Sequence, residues 1–504
     1  MHWSDALVKD LTGDHRVSTG ISPSGPIHVG NMREILTGDM IHRALLKKGL
    51  RSDFIYLCDD MDPLRKVYPF LPQGYQEHVG KPLFKIPSPD GNGTYSEHFL
   101  APFIHVMEVL EVGARVIRTS GLYGSGVFED AIDRVINARE KVRAILEEVS
   151  GREIEGDWYP YSPICSACGK INTTRVTGYQ RPYVYYTCTC GHSGRADIRR
   201  AEGKMPWRVE WPAKWYALGV TIEPFGKDHG AAGGSYDTGK RIAEEVFGIR
   251  APVPLMYERI LLKGKGAMHS STGLAIAASE MIEFAPPQIL RFLIAKTNPA
   301  RHIDFDPGMG LLSLIDEFEK YENAYYGLDT LKDEDFRTIY ELSYIRNLPH
   351  GPDGIRFRHL VTLVQIYQDR DSLMAALRRS GYREGSGDGG LEFEISVVKN
   401  WLSKYAPEQV KFTLLPRGEK VVVDGDEKAV LEAFLRAIPD IRWDAEEIHN
   451  RVHGIAKGLG IAPSKAFASF YRILIGKDTG PRLGYFLSNL SREFVEERIR
   501  ACIT

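Results

Sequence analysis

Two common nucleotide signatures are missing from this 504-residue chain. It has no G-x-x-x-x-G-K-[ST] phosphate loop, and no G-x-G-x-x-G turn heads a strand-helix unit. Both absences exclude the usual P-loop and dinucleotide chemistries, so a phosphate site here must be of another kind. Apolar runs of membrane-spanning length are also missing, and Met1-His2-Trp3-Ser4-Asp5 lacks a basic and apolar leader, so the expectation is a cytosolic protein with no membrane contact. There is little charge of either sign in excess. With 64 basic and 66 acidic residues the formal charge is −2, and any nucleic-acid surface has to be a local basic patch on a balanced protein. Cysteine is scarce as well: six in all, four of them within one short segment, which is not the spread of a disulfide framework.

What is present begins with Gly20-Ile21-Ser22-Pro23-Ser24-Gly25-Pro26-Ile27-His28-Val29-Gly30-Asn31. Arg16 to Ile21 reads as a strand. Gly25 and Gly30 permit a tight turn and close backbone approach to a ligand, and Met32, Ile35, Leu36, Ile41 and Leu45 repeat at helical spacing up to Lys48, with Gly49 as a stop. Asp53 to Cys58 supplies a second strand. The unit is β-α-β, and its first loop faces a helix N-terminus, where anions are held.

Cys165-x2-Cys168-x19-Cys188-x-Cys190, with Gly169 and Gly191 each following a pair, has the donor set of a closed tetrahedral zinc site of structural type. His192 as a substitute ligand and a C-x-x-C redox pair are the competing readings. Val176 and Tyr183 to Tyr186 predict a small hairpin around the metal. Beyond it, Lys204 to Trp215 packs Trp207, Trp211 and Trp215 into a short span, either a brace between domains or an aromatic wall for a ligand. Gly226-Lys227-Asp228-His229, followed by small residues and a helix starting near Ser235, predicts a second nucleotide half-site in which Asp228 accepts from ribose hydroxyls. Met256 to Leu262 reads as a strand leading into the Lys263-to-Gly273 loop. Farther on, helices are expected from Pro286 to Asn298, through Leu360 to Tyr367, after Asp444 and from Pro463, with Gly381 to Gly390 as a flexible connection.

The Pro-x-His28-Val29-Gly30-Asn31 run is similar to the H-I-G-H signature of class I aminoacyl-tRNA synthetases, and Lys263 to Gly273 stands where that family carries its mobile K-M-S-K-S loop. Further runs make the resemblance more specific: Asp62-Pro63-Leu64-Arg65-Lys66, Tyr68 to Pro72, Trp211-Pro212-Ala213-Lys214-Trp215, Gly226 to Asp237, Arg301 to Asp306, and Ile461-Ala462-Pro463 to Gly484. Together with Met1-His2-Trp3 they resemble the class I lysyl-tRNA synthetases along nearly the whole chain.

The resemblance implies a Rossmann-like α/β catalytic domain with a zinc-binding insertion and an all-α anticodon-binding region. The expected divisions are 1–155 and 204–310 for the catalytic halves, 156–203 for the insertion and 311–504 for the helical part. It implies ATP, magnesium and zinc, with L-lysine and tRNA(Lys) as partners. His28 and Asn31 are expected to donate to ATP phosphates, with Gly30, Gly226, Asp228, Ser270 and Ser271 also at the nucleotide. Glu34 is the candidate anion for the lysine ammonium, Trp207 and Tyr257 are candidate aromatic walls, and Ser22 and His229 converge on the same crevice. Glu34 has a competing reading, since Asn31-x-x-Glu34 is also a helix-capping box. The second loop departs from the family pattern: Ala267 takes the place of its first lysine, His269 that of a serine, and Thr272 that of the residue before the glycine. Lys265 and a protonated His269 are the candidates to compensate, because a lost cation in such a transition state costs a factor of roughly 10² to 10³. Two other classes fit parts of the pattern: an amino-acid-activating paralogue with a non-tRNA acceptor, and a noncatalytic tRNA-binding protein.

Overall fold

The computed structural model describes residues 1–504 apart from 152, 269–274, 345–347, 349–350, 353–354, 381 and 383–387. Its first body holds the parallel sheet. The elements that matter are β1 (His15–Ile21), α1 (Val29–Lys47), β2 (Ser52–Cys58), β3 (Arg115–Arg118), α2 (Trp207–Leu218), β4 (Ile222–Gly226), α3 (Ser235–Ile242) and β5 (Val253–Tyr257). The spatial order is β5-β4-β1-β2-β3, all neighbours parallel. Phe54 to Cys58 of β2 is continuously buried, as expected of a parallel strand covered on both faces. The chain leaves β1 toward β2 on one side and leaves β4 toward β5 on the other. The ends of β1 and β4 therefore form a topological switch point, where open α/β sheets take their ligands.

Helix α1 seats against the sheet because position 38 has no side chain. A Cβ on Gly38 would fall 2.7 Å from the Phe54 ring and 2.8 Å from Thr19 Cγ2. On its other side Asp39, fully buried, pairs with the equally buried Arg291 of the helix Pro287–Lys296 at 2.6 Å.

The zinc-type insertion is a three-stranded antiparallel sheet rather than a hairpin alone: Thr174–Gln180, Tyr183–Cys188 and Ser193–Asp197. Val184 and Tyr186 point into the same apolar cluster as Trp211, Trp215 and Phe225, so the insertion shares the catalytic core. The expected strand from Met256 to Leu262 is two strands. β5 ends at Tyr257; Glu258 N–H then donates to Pro299 O at 2.8 Å, and Ile260–Leu262 joins a second small sheet beside Ile303–Phe305.

The second body contains Met309–Tyr325 and the chain from 349 onward. The helices expected at Leu360, Asp444 and Pro463 are Phe357–Ile366, Ala445–Leu459 and Pro463–Ile475, with Asp444 accepting from Glu446 N and Glu447 N. The glycine-rich connection is shorter than expected. Residues 388–390 already belong to the helix Asp388–Lys404, and 381 and 383–387 lie outside the described residues. The terminal helices enclose a core of Val430, Phe434, Val452, Phe470, Leu474 and Phe486.

Candidate active site at the switch point

His28 is the N-cap of α1, and its backbone N–H donates to Asn31 Oδ1 at 3.2 Å. The capping box is thus His28–Asn31, three residues earlier than the Asn31–Glu34 alternative, and Glu34 is left for other work. A Cβ at Gly30 would stand 2.8 Å from His28 Nδ1 and Cε1, so the missing side chain lets the imidazole lie across the helix's first turn. In front of it is a cleft of about 250 Å³, lined by Ser22, Ser24, Gly25, His28 and Asn31 together with Tyr68 and Phe70. A 19-residue helix with its N-terminus at this cleft favours negative charge there.

The second loop is tied to the same turn. Val29 N–H donates to Ile276 O and Ala278 N–H to Ile27 O, each at 2.9 Å, and buried Met268 sits under Gly30. Residues on both flanks of the 269–274 segment therefore touch the His28 loop; His269, Ser270 and Ser271 themselves lie outside the described residues. Lys265 is exposed in the tight turn between Ile260–Leu262 and Gly266–Ala267, while Lys263 pairs with Asp306 at 3.3 Å.

Glu34, half-buried on α1, accepts from Gly20 N–H and from the Tyr257 hydroxyl, each at 2.7 Å. β1 and the end of β5 thus converge on one carboxylate. Its removal from water pushes its pKa up to about 7. A carboxyl with that value releases its proton readily when a cation docks. Trp207 stacks on Trp211 at 5.3 Å and 17°, and the His229 ring lies 5.8 Å from the one and 5.6 Å from the other. Burial lowers the His229 pKa, so the ring is neutral near pH 7. Asp228, at the end of β4, has a partner the sequence does not announce: Arg259 Nη2 at 2.5 Å, an exposed ion pair.

Residues 1–346 match a family model described as tRNA synthetases class I (K), and residues 407–503 match one described as an anticodon binding domain. Proteins named lysine–tRNA ligase align over the full chain: 60% identical in Thermoplasma volcanium, covering 99% of that protein, 59% in Thermoplasma acidophilum, again 99%, and 44% in Archaeoglobus fulgidus, 100%. The chain belongs to the class I lysyl-tRNA synthetase family.

Beneath this synthetase crevice lies a buried ionic network that the sequence reading missed. Ser22 Oγ donates to Asp62 Oδ2. Lys204 pairs with Asp62 and, at 3.1 Å, with Glu210; Lys214 pairs with Asp59 and, at 3.4 Å, with Glu210. Tyr123 donates to Glu210 Oε1 at 2.7 Å, and Thr119 to Asp59 Oδ1 at 2.8 Å. Burial works against the charge on each lysine, yet the surrounding carboxylates hold both above the ordinary lysine pKa. Asp59 is raised, chiefly by burial, whereas at Asp62 the burial is outweighed by Lys204, Ser22 and Lys214 acting together, and its pKa is held low. Two signals for this network were in the sequence: the run Asp59-Asp60-Met61-Asp62 at a strand's carboxyl end, and Lys214 inside an aromatic segment, four residues after Glu210.

The insertion of this synthetase brings Cys165, Cys168, Cys188 and Cys190 together, every pair of sulfurs within 4.8 Å. Cys165 to Cys190 and Cys168 to Cys188 are each 3.7 Å. A tetrahedron of Zn–S bonds of about 2.3 Å has edges of about 3.8 Å, so the four sulfurs fit one zinc ion with no position left for substrate. His192 Nε2 instead meets the Ser166 hydroxyl at 2.8 Å, outside the cluster. Because the insertion shares its core with the catalytic sheet, Cys168→Ser is expected to abolish stoichiometric zinc and to lower the melting temperature by at least about 5 °C. Elemental analysis with a calorimetric scan checks this; an unchanged scan from zinc-free protein contradicts it.

Proposed function

We propose that this chain attaches L-lysine to tRNA(Lys) through a lysyl-adenylate, using ATP and magnesium. The observation that carries the reading is the Glu34 carboxylate, held by Gly20 N–H and Tyr257 in the crevice beside the His28 turn. An anion at that point suits the side-chain ammonium of lysine, with Trp207 and His229 beside it, and Ser22 faces the reacting end. ATP phosphates lie at the N-terminus of α1, where His28 and Asn31 stand; the ribose meets Gly226 and Asp228, and the loop carrying Lys265, His269, Ser270 and Ser271 closes over the triphosphate. Donors preset at the developing charge need no reorganisation during the reaction. Residues 1–155 and 204–310 perform this chemistry, 156–203 carry the zinc, and 311–504 contact the tRNA, which makes a non-tRNA acceptor unnecessary. A cytoplasmic location belongs to the same proposal; among the described residues no helix is long and apolar enough to cross a membrane.

The test is ATP–pyrophosphate exchange over a panel of amino acids, with and without tRNA. Lysine-dependent exchange supports the reading, and zinc-loaded, folded protein that exchanges with none of them overturns it.

The raised pKa of Glu34 gives the pH dependence a sign. The ammonium binds the carboxylate form, which predominates above about pH 7 and is lost below it. KM for lysine is therefore expected to be flat above pH 7 and to rise toward tenfold per pH unit below it. Steady-state kinetics from pH 5.5 to 8.5 measure this; a flat profile contradicts it.

A further inference from the structure

Tyr68 and Phe70 are aromatic side chains on the rim of the cleft to which the chemistry above gives no task. They sit two residues apart in the loop that follows β2, with rings stacked at 5.5 Å and 10°. Both line the same cleft as His28 and Asn31, and Phe70 is exposed. The pair is braced from behind. Phe70 meets Phe99 edge-on at 5.5 Å and 69°, and Tyr68 packs against a small separate core that includes Leu64, Leu71, Leu83 and Tyr95. Tyr95 in turn donates to Ser24 O at 2.7 Å, which ties this core to the cleft wall. Lys66 holds its ammonium 5.7 Å from the Tyr68 ring.

We propose that Tyr68 and Phe70 form the platform on which the terminal adenine of the tRNA stacks as its ribose hydroxyl receives the lysyl group. The inference rests on the reading of the chain as a lysine–tRNA ligase. An exposed ring stacked on a half-buried one, beside a cation and packed on a core of their own, has the chemistry of a single-strand base platform: any base offers a π-face, and the cation meets the backbone. The adenine could come from ATP or from the tRNA, and the sheet order favours the tRNA. β2, which carries the aromatic loop, and β4, which carries Gly226 and Asp228, flank β1 on opposite sides, so their ends stand about 10 Å apart. A nucleotide with its ribose on the β4 loop leaves the β2 side for a second adenosine. Tyr68 and Phe70 are positioning residues: they orient the acceptor and touch no proton in transfer.

The experiment places 2-aminopurine at the terminal position of tRNA(Lys) and follows its fluorescence on binding. Stacking is expected to quench it several-fold with the natural enzyme. Tyr68→Leu and Phe70→Leu are expected to lose most of the quench and to slow transfer to tRNA roughly tenfold or more, while lysine affinity and the melting temperature hold. Tyr68→Phe is expected to restore both. Quenching unchanged in the leucine variants overturns the proposal, as does a loss confined to 2-aminopurine riboside triphosphate, which would assign the platform to ATP. A natural enzyme that charges tRNA yet never quenches the probe defeats this inference alone; failure of lysine-dependent charging defeats the reading beneath it.

Discussion

Glu34→Gln is expected to lower kcat/KM for lysine by about a thousandfold, mainly through KM. Removing one partner of a desolvated charge pair costs about 2–5 kcal/mol, because the other charge is left in the site without its counterion. The variant is nearly isosteric. Its carbonyl can still accept from Gly20 N–H, but its NH2 then faces the Tyr257 hydroxyl where a carboxylate oxygen now accepts at 2.7 Å. The amide therefore loses the charge and disturbs one hydrogen bond while leaving α1 packed as before. A second readout separates recognition from general damage. Norleucine has the methylene chain of lysine without the ammonium, so discrimination between the two should collapse in Glu34→Gln and the pH dependence of KM below 7 should vanish with it. A variant that keeps both the lysine preference and the pH profile would show that the ammonium docks elsewhere.

Local features of this site were legible because they depend on neighbours in sequence. The turn at Gly30, the periodic face of α1 and the cap at Asp444 each follow from residues a few positions apart. Even there the register needed the structure: the same Asn31 that could open a capping box with Glu34 closes one with His28. The partners of Glu34 lie 14 and 223 positions away and meet it only once α1 packs across β1 and β5 joins the sheet. The strand expected from Met256 to Leu262 broke for a related reason, since Glu258 and Ile260 pair with residues from Pro299 to Phe305 that no local pattern reveals. Charged side chains were the hardest to place. Nothing local announces that Arg259 pairs with Asp228, and the segment from Lys204 to Trp215 reads as an aromatic run without showing that Lys204 and Lys214 are buried counterions.

Those counterions supply the second large effect. Lys214→Met is expected to destabilise the protein by about 3–5 kcal/mol, since it strips Asp59 of its paired ammonium and leaves Glu210 with Lys204 as its paired cation. Pairing it with Asp59→Asn should recover much of the loss, because neutralising both members of a buried pair is far less costly than orphaning one. The loss should also depend on pH. The network holds three carboxylates, Asp59, Asp62 and Glu210, against two ammonium groups, Lys204 and Lys214, and the raised pKa of Asp59 marks where a proton is most easily retained. Without Lys214 that pKa rises further. A carboxyl whose folded-state pKa lies above its unfolded value weakens the fold at pH above the folded value, and the penalty fades as pH falls toward the unfolded one. The gap between natural protein and variant in urea unfolding should thus be widest near pH 8 and narrow toward pH 5. Because Ser22 hangs on Asp62, and Asp62 on Lys204, the narrowing should be matched by partial return of lysine binding relative to the natural protein. A gap that stays constant across that range would place the surplus charge of the network somewhere other than Asp59.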